Sequence, residues 1–188
     1  MKIQLNNLNT ILCLGAHSDD IEIGCGGTIL RLLAENPGLT IFWVVLSATG
    51  KRADEAGSSA DAFLESASNK KVIIQGFRDS YFPYVGGEIK DYLHELASDI
   101  SPDLILTHRG NDAHQDHRLV AELTWCVFRQ GLILEYEVPK YEADLTQPNF
   151  FVPLEETIAN RKIEVLANCF KTQKAKKWFC NDTFRSLM

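Results

Sequence analysis

Short apolar runs alternate with stretches of helical spacing along this 188-residue chain, and that alternation limits the fold more than any other feature. Residues 10–16, 40–47, 71–75 and 104–106 read as strands, and 132–138 suggests a fifth. The run Thr40-Ile41-Phe42-Trp43-Val44-Val45-Leu46-Ser47 is apolar almost throughout, as a parallel strand covered on both faces must be. Helices are expected over about 27–35, 53–67, 87–99 and 155–171, with another opening near Asp116. The first ends at Asn36-Pro37-Gly38, a stop signal. Residues 139–153 read as a long loop. Strands alternating with helices imply right-handed crossovers and an α/β, Rossmann-like three-layer sandwich with a mainly parallel sheet. A chain of this length is most simply a single domain over 1–188.

The first strand gives way to Gly15-Ala16-His17-Ser18-Asp19-Asp20 and then to Gly24-Cys25-Gly26-Gly27-Thr28. Two adjacent carboxylates beside an apolar strand repel each other, and a cation would relieve the cost. Helix capping by Asp and Ser is the alternative, and this stretch alone does not choose between them. A second stretch tips the balance toward metal. Thr107-His108-Arg109-Gly110-Asn111-Asp112-Ala113-His114-Gln115-Asp116-His117-Arg118 holds three of the five histidines and also follows a strand. Two such turns at the carboxyl ends of strands can share one crevice of an open parallel sheet. A catalytic zinc takes three protein ligands from His and Asp and keeps one position open. His17, Asp20 and His117 would supply that set.

These residues resemble a known family. His17-Ser18-Asp19-Asp20 with Gly24-Cys25-Gly26-Gly27-Thr28 is similar to its A-H-P-D-D…G-x-G-G-T motif, and His114-Gln115-Asp116-His117 to its H-x-D-H motif. The family is the PIG-L/LmbE-like zinc-dependent de-N-acetylases, and the resemblance runs from about residue 9 to about residue 170. Ser18 stands where the family usually has Pro, which removes no ligand. The chain also stops at Met188, short of the glycine-rich and aromatic segment with which many relatives end, so the C-terminal segment reads as short or truncated.

The resemblance implies removal of an acetyl group from an N-acetylglucosamine-type amino sugar conjugate, with Zn2+ or another divalent metal. The expected metal ligands are His17, Asp20 and His117. Asp19 is the candidate general base toward the attacking water, whose pKa zinc lowers to about 7. His114 matches the family's electrophile and acid, and Asp116 would orient a histidine ring. Arg52, Asp79 and Arg118 are candidates for the substrate, each weighed against a plain surface salt bridge. His108 and Asp112 read as loop-shaping, with His108 an outside candidate for supporting the metal centre. The lysines at 171–177 read as solvated charges that suit a helix end.

A net charge of −6 argues against a nucleic-acid partner, which would call for a basic face. The start, residues 1–7, is too polar for a secretory signal, and no apolar run is long enough to cross a bilayer. Five scattered cysteines read as free thiols in a reducing cytoplasm. A homo-oligomer is compatible with all of this. The rival function is a Rossmann-like nucleotide- or sugar-binding module without turnover, prompted by Gly24-x-Gly26-Gly27 after a strand. Its nucleotide form is weakened by the two carboxylates, which would repel a phosphate.

Overall fold

The computed structural model describes Leu5, residues 8–142 and residues 144–188. The other residues of the 1–7 start and Ala143 in the long loop lie outside the described residues. The strands are β1 (Thr10–His17), β2 (Thr40–Ser47), β3 (Asn69–Ile74), β4 (Leu104–His108) and β5 (Leu132–Tyr136). They form one parallel sheet in the order β3-β2-β1-β4-β5. Winding therefore starts at β1, runs outward to β3, and restarts on the other side with β4. The switch point lies between β1 and β4, which pair with Ile11 opposite Leu104 and Cys13 opposite Leu106.

The pleat splits the core into two layers. Ile11 and Cys13 of β1, with Ile41, Trp43 and Val45 of β2, face the helices α1 (Asp20–Glu35), α2 (Lys51–Phe63) and α5 (Glu156–Cys169). Leu12 and Leu14, with Val44 and Leu46, face α3 (Gly86–Asp99) and α4 (Gln115–Val127). This double burial explains the unbroken apolar run of β2. Past α5 the chain makes a 3-10 turn at Lys171–Gln173 and the short helix α6 (Asn181–Arg185), neither of which sequence spacing foretold. The long loop after β5 holds no helix or strand among its described residues.

One boundary differs in a way that matters. α1 opens at Asp20, seven residues before the expected start at 27, so Gly24, Gly26 and Gly27 lie inside the helix. Their small size is used for packing. A Cβ at Gly24 would overlap the Tyr136 ring, and one at Gly26 would stand 2.6 Å from Phe63 Cε1. The glycines thus let α1 close onto its neighbours and form no loop that could cradle a phosphate.

Candidate metal centre and active site

β1 ends at His17 and its parallel neighbour β4 ends at His108. The turn after each strand leads into a helix, α1 at Asp20 and α4 at Gln115. Both motif turns therefore open onto the same crevice. His17 Nδ1 lies 3.2 Å from His117 Nε2 and 3.3 Å from Asp20 Oδ2, and His117 Nε2 lies 3.4 Å from Asp20 Oδ2. Atoms bonded to one tetrahedral zinc stand about 3.3–3.5 Å apart, so these three atoms fit one face of such a shell. At most one proton can lie between the two ring nitrogens. The donor set, two imidazoles and a carboxylate, also suits zinc. Cys25, which also lies near this turn, is buried in the core with its thiol pushed well up by burial.

The electrostatics favour a cation here. Burial works against charge on His17, but the Asp20 carboxylate and hydrogen bonds with Asp116, Asp20 and Asp79 raise it well above the ordinary imidazole range. His117 is likewise opposed by burial and raised to about 9 by Asp20 and Asp112. Asp20 resists its own burial and stays well below the usual carboxylate range because His117, His108 and His17 surround it.

Each ligand candidate is oriented from behind. His117 Nδ1 meets Asp112 Oδ2 at 3.1 Å, and His17 Nε2 meets Asp116 Oδ2 at 3.2 Å. Asp116 is fully buried and also accepts the backbone N–H groups of Ser80 and Phe82, so it ties the loop after β3 to the site. Ser80 holds the positive φ of 65° in that loop, next to Asp79, whose Oδ1 is 3.2 Å from His17 Nε2. His108 stacks on His117 with ring centroids 3.9 Å apart, and its Nε2 accepts the Ala16 N–H. Burial and the nearby His117 hold His108 down at about 4, so its ring is neutral.

Asp19 immediately precedes α1, yet its side chain makes no capping bond. Its Oδ1 instead accepts Arg52 Nη2 at 2.8 Å. Burial raises the Asp19 carboxyl above its usual range, against the pull of Arg52 and with the push of Asp20. His114 is the residue that caps α4, its Nδ1 accepting the Asp116 N–H at 3.2 Å. Burial, then the charges of His17 and His117, lower its pKa. A neutral His114 using Nδ1 as acceptor carries its proton on Nε2.

Of the substrate candidates, Arg52 is engaged with Asp19, Glu55 and Thr172. Arg118 is exposed and donates to the carbonyls of Asp112 and Ala113, while Asp79 is exposed beside His17. Asp112, expected only to shape the loop, is the carboxylate behind His117; its place five residues before that histidine was the available signal. Lys176, expected only as a solvated charge, and Thr172, to which the sequence assigns no role, both bear on the site. Thr172 contacts Arg52 across 120 residues, and the Lys176 charge reaches Asp19. No local pattern announces contacts of that range.

Comparison with known proteins gives the chain's family and fold relatives. The PIG-L family profile, described as GlcNAc-PI de-N-acetylase, matches residues 12–128. The uncharacterized deacetylase YaiS of Escherichia coli K12 is 31% identical over 144 residues, covering 71% of this chain and 76% of that protein. The N,N'-diacetylchitobiose deacetylase of Pyrococcus horikoshii shares the fold at a TM-score of 0.66 and 20% identity, over 96% of this chain and 77% of that one. The 4-carboxy-2-hydroxymuconate hydratase GalB of Pseudomonas putida does so at 0.75 and 17% identity, over 96% and 84%. The profile spans both motif turns and more than half of the sequence: the chain belongs to the PIG-L family of deacetylases.

Proposed function

We propose that this protein is a metal-dependent hydrolase that removes the acetyl group from an N-acetylglucosamine-type amino sugar conjugate. The observation that carries the reading is the triangle of His17 Nδ1, His117 Nε2 and Asp20 Oδ2, with edges of 3.2 to 3.4 Å. Those three residues would hold zinc. A zinc ion there supplies Lewis acidity to the acyl oxygen and makes a water molecule more acidic. Membership of a deacetylase family and a fold shared with a chitobiose deacetylase support an amino sugar as substrate.

The chain's own residues divide the proton work. Asp19 takes a proton from the water that attacks the amide carbon, and its raised pKa lets it hold that proton. His114 donates from Nε2 to the developing oxyanion. When the carbon–nitrogen bond breaks, the proton held by Asp19 passes to the leaving nitrogen, giving free amine and acetate. This assigns His114 the electrophile's part of its expected role and gives the acid's part to Asp19, because the Asp116 N–H occupies His114 Nδ1. Arg52 holds Asp19 in place, while the exposed Asp79 and Arg118 remain the proposed contacts for a sugar. Five free cysteines are in keeping with a cytoplasmic enzyme.

The test is acetate release over a panel of N-acetylglucosamine conjugates with zinc added. Release from at least one, abolished by a chelator and restored by zinc, is the expected outcome. Because the hydratase GalB shares this fold, water addition to an unsaturated carboxylate is the control reaction. Hydration without any acetate release would sink the proposal.

A further inference from the structure

The loop after β5 carries a buried cation that the catalytic reading leaves unused. Lys140 Nζ lies 3.0 Å from Asp112 Oδ1 and 2.9 Å from both carboxylate oxygens of Asp144, with the Val138 carbonyl at 3.4 Å. Its side chain is 8% exposed and that of Asp112 1%. The two carboxylates share one ammonium, and that ammonium offsets their mutual repulsion. Asp144 has further partners, the Arg109 guanidinium at 3.1 Å and the Ala113 N–H at 2.7 Å. Asp112 Oδ1 also takes the His114 N–H at 2.7 Å, and its Oδ2 faces His117 Nδ1 at 3.1 Å. A continuous path thus runs from Lys140 through Asp112 to His117.

We propose that Lys140 is a positioning residue for the metal centre: it holds the Asp112 carboxylate in the orientation that keeps His117 Nε2 directed at the metal. The inference rests on His117 being a metal ligand, as proposed above. The physical reason is tautomer control. Asp112 accepting from Nδ1–H leaves the lone pair on Nε2, the atom that faces His17 and Asp20. Without the ammonium, Asp144 keeps the Arg109 guanidinium, but no cation bridges Asp144 to the Asp112 carboxylate. Asp112 then turns away from Asp144 and loosens its hold on the ring. The loop after β5 thereby becomes the outer layer of a centre whose inner residues all come from the β1 and β4 turns.

The experiment measures zinc affinity of metal-free protein by competition with a chelator, alongside thermal melting. Lys140→Met should weaken zinc binding roughly tenfold, the lower end for a partner behind a ligand. Lys140→Arg, which keeps the charge, should recover most of that loss. In an Asp112→Asn background the link is already cut, so Lys140→Met should cost little more. Unchanged zinc affinity in folded Lys140→Met overturns the inference, even if melting falls, because the lysine is then only a structural ion pair. Full additivity with Asp112→Asn overturns it as well. Should Lys140→Met not fold, Lys140→Gln keeps a hydrogen-bond donor without the charge, and unchanged affinity there is equally decisive. Wild-type protein that binds no zinc would instead overturn the metal centre itself.

Discussion

His17 Nδ1 and His117 Nε2 stand 3.2 Å apart, although 100 residues separate them in the chain. Only the pairing of β1 with β4 brings them there, each ring oriented by a different carboxylate, Asp116 for His17 and Asp112 for His117. Two nitrogens this close, facing a shared carboxylate, attract positive charge. Protons and a metal ion must compete for it.

Zinc affinity should therefore rise with pH. His117 has its pKa raised from 6.5 to about 9, and binding needs the neutral ring. Each pH unit gained up to about 9 removes part of that competition, with a slope of roughly one log unit per displaced proton. Chelator competition at several pH values between 6.5 and 9 measures it, and a flat profile would count against both histidines as ligands.

The adjacent pair Asp19 and Asp20 should fail in different ways. Asp20 Oδ2 faces both His17 and His117, the proposed ligands, whereas Asp19 Oδ1 faces Arg52. Asp20→Asn replaces a charged ligand with a neutral one and should weaken zinc binding, with partial rescue by excess metal. Asp19→Asn should keep its zinc and lower kcat by about 10² to 10⁴, the worth of a general base, with no rescue. Metal content and kcat measured side by side would expose a swap of the two roles.

The fold was legible because burial on both sides of the sheet writes apolar runs such as 40–47 into the sequence. The start of α1 was not, because Gly24, Gly26 and Gly27 look like a loop until Tyr136, Phe63 and Leu154 are seen packed on them. Within the site, the two motif turns were legible because their spacing is local. The carboxylate behind His117 was missed because Asp112 looks like any loop aspartate. Lys140 and Thr172 lie farther off in sequence, and their contacts to Asp112 and Arg52 exist only once the chain has folded.

His114→Ala should lower kcat by roughly 10² while zinc content stays near that of the wild type, since an oxyanion donor acts on turnover. The substitution also removes the side-chain cap of α4, a cost of about 1 kcal/mol in stability. His114→Asn restores a side-chain acceptor for the cap and should recover stability more than activity. Loss of zinc from either variant would make His114 a ligand instead.

Lys162 predicts a pH effect on stability alone. Its Nζ is buried and donates to the Ile23 carbonyl at 2.7 Å, and burial lowers its pKa from 10.5 to about 8. A folded-state pKa below the unfolded one means the folded chain disfavours the charged lysine. That penalty is full below about 8 and fades as pH rises toward 10.5. Its size is roughly 3 kcal/mol. The sign is opposite to that of His117, whose raised pKa stabilises the metal-free fold below 6.5 and loses that effect as pH passes about 9. Lys162→Met should therefore raise the melting temperature at pH 7 and narrow the gain by pH 10. An equal gain at both pH values would mean that burial does not lower the lysine's pKa.

Arg52 should reveal itself in the acid limb of the rate profile. Its Nη2 lies 2.8 Å from Asp19 Oδ1. Burial raises the Asp19 pKa and Arg52 is the first influence that opposes it. Removing the guanidinium leaves only the weaker pull of Lys176 and His17 against burial and the Asp20 charge, so the carboxyl should hold its proton to a higher pH. A general base works only when deprotonated, and kcat/KM reports its pKa in the free enzyme. Arg52→Met should thus move the acid limb of kcat/KM toward higher pH, while Arg52→Lys, which keeps a cation without the fork, should move it less. Arg52 is partly exposed, which screens the effect and makes a shift of about one pH unit the scale to look for. If Arg52 instead served only to bind the sugar, KM would rise and the limb would stay where it is. Recording the full profile for both variants separates the two roles, because binding and the protonation of Asp19 leave different marks on it.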